Sequence, residues 1–157
     1  MGLDMYLYKK DESVRRLMDD GTPYADDKLV EVAYWRKANA IRGWFVNSGI
    51  IQEDDDCVHR PVSREQIGQL IDDCKVVLDK FVETYQKVEK DGEATVENTK
   101  DFYTVAESTM PRTSGFFFGD NEIDSWYLEE LKDTVDQLTT VLETSTDDDE
   151  FVYSDWW

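Results

Sequence analysis

Apolar positions recur along the chain at two periods, and the switches between them mark its elements. From Gly2 to Lys10, Leu3, Met5 and Leu7 alternate with Asp4, Tyr6 and Tyr8. A period of two predicts a half-buried strand. Ser13 is placed to cap a short helix over Val14 to Met18, ended by Asp20-Gly21-Thr22-Pro23. Asp26 and Asp27 then sit where a helix N-terminus favours oxygen acceptors and negative charge. Over 29–48 the period changes: Tyr34, Ala38, Ile41 and Phe45 share one side of a helix, Trp35, Asn39 and Arg42 fall on one flank, and Lys37 and Trp44 on the other. Asn47-Ser48-Gly49 supplies a stop.

Cys57 to Val62 reads as a short strand that Pro61 marks as an edge or an ending. Ser63 with Gln66 is a capping-box pattern. It opens the clearest helix, Arg64 to about Lys90, whose apolar stripe runs from Ile67 and Leu70 through Cys74, Val77 and Phe81 to Val88. Asp91-Gly92 breaks it. A weaker helix over Thr99 to Thr109 is stopped by Pro111. Asp124 is placed to cap a last helix to residue 143, with Tyr127, Leu128, Leu131, Val135, Leu138 and Leu142 inward. Phe151 to Trp157 reads as a terminal strand able to pair with the first one. The expected fold is α+β: one domain over 1–157, with a small, mostly antiparallel sheet that includes both termini. Three main helices, at roughly 29–48, 64–90 and 124–143, would cover it.

Charge changes this picture. Asp and Glu number 36 against 17 Lys and Arg, a net charge of -19. Such a field repels nucleic acid and anionic membranes, and it attracts basic proteins. Solubility or a salty environment explains the same charge without a partner. No stretch approaches the roughly 20 apolar residues of a membrane-spanning helix. The N-terminal residues lack a signal peptide's basic and apolar regions, and two cysteines make no disulfide framework. The expected setting is cytoplasmic.

Catalytic signatures are scarce. The only histidine is His59, and Cys57, His59 and Cys74 fall short of the four paired ligands of a structural zinc site. Asp54 to Asp56 and Asp147 to Glu150 read as solvated loops rather than cation sites. No phosphate loop, dinucleotide fingerprint or nucleophile elbow occurs. No cofactor is expected. The sharpest candidate is the basic-aromatic run Tyr34 to Phe45. Its Trp35, Arg36, Lys37, Asn39, Arg42 and Trp44 stand out in an acidic chain and offer stacking, amide and cationic groups suited to an anionic ligand. Phe116, Phe117 and Phe118, between Gly115 and Gly119, cannot all face one layer, and Asp124 and Tyr127 complete the candidate pocket. The opposing reading makes the aromatics core and pairs the cations with carboxylates.

The same residues carry a resemblance. Met1 to Leu7, Glu31 to Ile41 with Trp44-Phe45, Asp56-Cys57, Pro111 with Thr113 to Gly119, Asp124 before Tyr127, and Tyr153, Ser154 and Trp156 resemble a family of small proteins encoded by bacteriophages and prophages. The likeness runs nearly the length of the chain. It implies a context, the cytoplasm of an infected or lysogenic bacterium, and no chemistry. The leading expectation is a non-enzymatic accessory protein whose acidic surface engages a basic host protein, as nucleic-acid mimics do. The alternatives are binding of a small, nucleotide-like anion by the basic-aromatic run, and a carboxylate- or metal-dependent hydrolase using Asp56 or Asp124.

Overall fold

A computed structural model describes residues 2–24, 28–91, 96–115 and 118–157. Asp26, Asp27, Gly92, Phe116 and Phe117, which the sequence reading used, lie outside the described residues. The elements follow in the order β1 (Asp4–Lys10), β2 (Leu29–Arg36), α1 (Asn39–Asn47), β3 (Arg60–Val62), α2 (Arg64–Asp91), α3 (Val96–Thr109), α4 (Ser125–Glu143) and β4 (Phe151–Trp156). The four strands form one sheet in the order β2-β1-β4-β3, and every pairing is antiparallel. The first and last strands therefore pair with each other, as expected, and they lie at the centre of the sheet. Pro61 sits on edge strand β3, where its missing N–H costs no ladder bond.

The inner face of the sheet carries Met5, Leu7, Ala33, Trp35, Phe151 and Tyr153, all buried. Ile41 and Phe45 of α1 join this core with the inner stripes of α2 and α4. Phe45 stacks on Tyr153 with ring centroids 4.0 Å apart. Burying a side chain of this size stabilises by roughly 1.5–3 kcal/mol, so these aromatic contacts fix how α1 lies on the sheet. The capping box forms: Ser63 N–H donates to Gln66 Oε1 at 2.9 Å and Gln66 N–H to Ser63 Oγ at 3.1 Å. Asp124 caps α4 by accepting from Tyr127 N–H at 3.1 Å. Cys74 is fully buried, and that burial pushes its thiol up to about 12, so it is core rather than nucleophile.

Two expected helices are corrected. Val14 to Met18 is not helical: Asp11 Oδ1 takes the N–H and hydroxyl of Ser13, and Leu17 pairs with Pro23 across an isolated bridge. Five residues are too few to nucleate a helix when a nearby carboxylate competes for the first donors. The helix expected over 29–48 is a strand followed by a helix. Ala33 and Trp35 point inward while Tyr34 and Arg36 point out, and pairing with β1 enforces that period of two. Lys37 makes the switch in the left-handed region at φ 55°, its N–H donating to Leu3 O at 2.7 Å. Helix α1 starts only at Asn39.

Candidate functional site

Helix α1 is buried on every side from Asn39 to Phe45, so the two polar residues of that stretch, Asn39 and Arg42, must find partners inside the protein. Arg42 is 2% exposed. Its Nε donates to Asp155 Oδ2 at 2.9 Å, and its Nη2 donates to Glu53 O at 3.1 Å and Asp55 O at 3.0 Å. The Phe118 ring centroid lies 5.0 Å from the guanidinium carbon and that of Trp157 5.5 Å. Tyr153 hydroxyl also donates to Asp155 Oδ2, at 2.7 Å. Burial raises the Asp155 carboxyl above its usual range, against the hydrogen bonds from Tyr153 and Arg42. Burial likewise lifts the Tyr153 phenol well above its ordinary value.

The loop before β3 is tied to the same place. Arg60 grips Asp55 with two bonds of 3.1 Å, which hold that carboxyl below its usual range. Trp157 donates its indole N–H to Asp55 O at 3.2 Å and its backbone N–H to Asp56 Oδ1 at 3.1 Å. Asn39 clasps a second loop. Its Nδ2 donates to Phe118 O and Asp120 O at 3.1 and 2.8 Å, and its backbone carbonyl accepts from the Thr113 hydroxyl at 2.7 Å. The loop comes so close that a Cβ on Gly43 would stand 2.5 Å from Thr113 Cγ2 and would force that side chain to shift. Between the two loops lies a cleft of about 680 Å³. Arg42, Phe118 and Trp157 line it, with Thr113 and Ser114 on one side and Gln52, Glu53 and Asp54 on the other.

A neighbouring cluster surrounds Arg112, whose side chain is 6% exposed. Its Nη1 donates to Glu130 Oε2 at 2.8 Å and its Nε to Glu122 O at 2.9 Å, and its guanidinium lies 5.2 Å from the Tyr127 ring centre. Burial raises the Glu130 carboxyl although Arg112 opposes the shift.

Of the residues singled out from sequence, the structure brings Arg42 and Phe118 together in the cleft, with Asn39 behind them. Trp35, Asn39 and Arg42 do not share one flank, because Trp35 lies on β2, buried, with its indole donating to Thr134 Oγ1 at 2.9 Å. Arg36 is half-exposed against Asp4 at 2.9 Å. Lys37 is exposed at the turn. Trp44 faces α2 and donates to Asp73 Oδ2 at 2.7 Å. Tyr127 is fully buried, donates to Met110 O at 2.7 Å, and has its phenol raised by burial. Asp124 is a helix cap 3.9 Å from Arg112. Sequence reasoning missed Asp155, Trp157, Thr113 and Arg112. Asp155 left a signal: in a strand alternating Phe151, Tyr153, Asp155, the carboxylate falls on the inward set and demands a buried cation. Among the described residues no group of three or more His, Cys, Asp or Glu is placed to hold a metal ion, and no helix is long and apolar enough to cross a membrane. No family model, curated protein or solved structure matches the chain.

Proposed function

We propose that this α+β domain acts by binding, presenting an acidic surface to a basic host protein, in the phage or prophage setting that its sequence resemblance implies. The observation that supports this most is the charge on the outer face of α4. Its exposed residues include Glu129, Asp133, Asp136 and Glu143, with Lys132 as its one cation. Lys132 is itself turned to Glu129 at 3.6 Å. A face of one sign steers a cationic partner and rejects polyanions. A small anionic ligand is the weaker reading, because Glu53 and Asp54 stand at the cleft that would receive it.

The test is capture from host lysate by the wild-type chain and by an Asp133→Asn, Asp136→Asn, Glu143→Gln variant. The wild type is expected to retain a basic protein in stoichiometric amount, with retention falling steeply as salt shortens the Debye length from about 10 Å at 0.1 M. The variant should lose most of it. Equal capture by both chains, or capture indifferent to salt, would remove the reading.

A further inference from the structure

We infer that the outer edge of β2, beside α4, takes an extended basic segment of the partner as a further strand, and that Gln137 holds that place until the segment arrives. This rests on the acidic-surface reading and gives it a site. The first observation is that the edge is closed by an amide and not by a strand. β2 is the outermost strand on its side of the sheet. Tyr34 N–H donates to Gln137 Oε1 and Gln137 Nε2 donates to Tyr34 O, both at 2.9 Å. Tyr34 therefore turns its N–H and C=O away from β1, and the alternation of an antiparallel pair turns those of Arg36 the same way. A primary amide bonded to one N–H and one C=O reproduces the bonds that a neighbouring strand would make there. Gln137 thus displays the chemistry that the edge accepts, which is that of an extended main chain.

The second observation decides what that main chain carries. Gln137 Nε2 also donates to Asp133 Oδ2 at 2.8 Å, so the carboxylate that anchors the amide stands at the same edge. A Lys or Arg side chain offers Asp133 a full opposite charge where Gln137 offers a dipole. An arriving cation competes for Asp133 and frees the amide, and the main chain behind that cation takes over the N–H and C=O of Tyr34. A second copy of this protein does not fit there, because it would bring another acidic α4, with its Glu129, Asp133 and Asp136, against the first. Side chains alternate along a strand. Cations at every second position would face α4, and aliphatic residues between them would lie along Tyr34, whose ring points out of the sheet beside Tyr6 with centroids 5.3 Å apart.

The probe is an N-acetylated, C-amidated Lys-Val-Lys-Val-Lys-Val peptide. The comparisons are a Gln-for-Lys peptide and the same basic sequence N-methylated throughout, which keeps the charge but cannot donate to an edge. Binding is measured by calorimetry and by deuterium exchange at the Tyr34 amide. The basic peptide should bind the wild type, and should bind Gln137→Ala about tenfold more tightly because the two bonds of the amide no longer have to break. Gln137→Met, which keeps the length of the side chain, should match it, and melting curves verify that both variants fold. In either variant the peptide should slow the exchange at Tyr34 that loss of the amide speeds up, and the N-methylated peptide should not. Equal affinity of the wild type and both variants would overturn the role of Gln137 and with it the inference. Equal binding of the N-methylated peptide would show attraction by the field alone, overturning strand addition while leaving the acidic-surface reading intact. Equal binding of the Gln-for-Lys peptide would overturn the choice of a basic segment and count against that reading as well. Gln137→Ala should also retain more of the lysate partner, and unchanged retention would overturn the assignment of this edge to that partner.

Discussion

Arg42 is the most demanding residue in the chain, since burying a guanidinium costs several kcal/mol unless charge and hydrogen bonds return it. Asp155, two backbone carbonyls and two aromatic rings do so here. Removing one partner of such a pair strands the other. Arg42→Met keeps the apolar stem but removes the cation and its three donated bonds, and it is expected to lower unfolding stability by about 3 kcal/mol in urea titration. A loss below about 1 kcal/mol would show that Asp155 and the two loop carbonyls do not depend on the guanidinium. The pair lies 113 residues apart in sequence, which is why only half of it was legible. Arg42 stood out as a cation among aromatics. Its partner emerges only once the register of β4 against β1 aligns Met5 with Asp155 and turns both inward.

At the scale of elements, the sequence was readable wherever local rules and tertiary packing agreed. The long stripe of α2, its capping box, the Asp124 cap of α4 and the pairing of β1 with β4 all meet that condition. The run from Leu29 to Asn47 does not. Its aromatic spacing fits a helix, but the strand ends at Arg36 and the next residue, Lys37, holds φ 55° with no glycine or proline to announce the turn. The choice between strand and helix there is made by β1, which is distant in sequence. Strand β2 also shows how the sheet ends. Its outer edge at Tyr34 is closed by a side chain: Tyr34 N–H donates to Gln137 Oε1 and Gln137 Nε2 donates to Tyr34 O, both at 2.9 Å. The amide of Gln137 thus stands in for one peptide group of a further strand, a way of blunting an edge that would otherwise pair with other chains. Gln137→Ala should cost about 1–2 kcal/mol for the two bonds and make the Tyr34 amide exchange with deuterium faster than its β2 neighbours. Unchanged protection at Tyr34 would mean the edge is closed by something other than this amide.

At the scale of the whole molecule, the net charge of -19 works against the fold it surrounds, and the titrating groups set the pH at which that opposition is least. Burial raises the carboxyls of Asp155 and Glu130 above their usual values. Their protonation thus favours the folded state, and the stability it supplies is lost as pH rises through their raised values. Asp11, Asp20 and Asp55 are shifted the other way, by hydrogen bonds from Ser13, Thr22 and Arg60 respectively. Their contribution is present above the ordinary carboxylate value and lost as pH falls through their lowered ones. Acidification into the ordinary carboxylate range also neutralises surface carboxylates and relieves repulsion. The melting temperature, followed by circular dichroism, should therefore climb as pH falls from 8 toward that range, about pH 4, and turn down below it. Added sodium chloride should raise it more at pH 8 than at about pH 4, because screening replaces what protonation supplies at the lower pH. A melting temperature that is flat or falling over that whole descent would mean that protonation of Asp155 and Glu130 does not favour the folded state and that the carboxylates outside impose no strain on the interior.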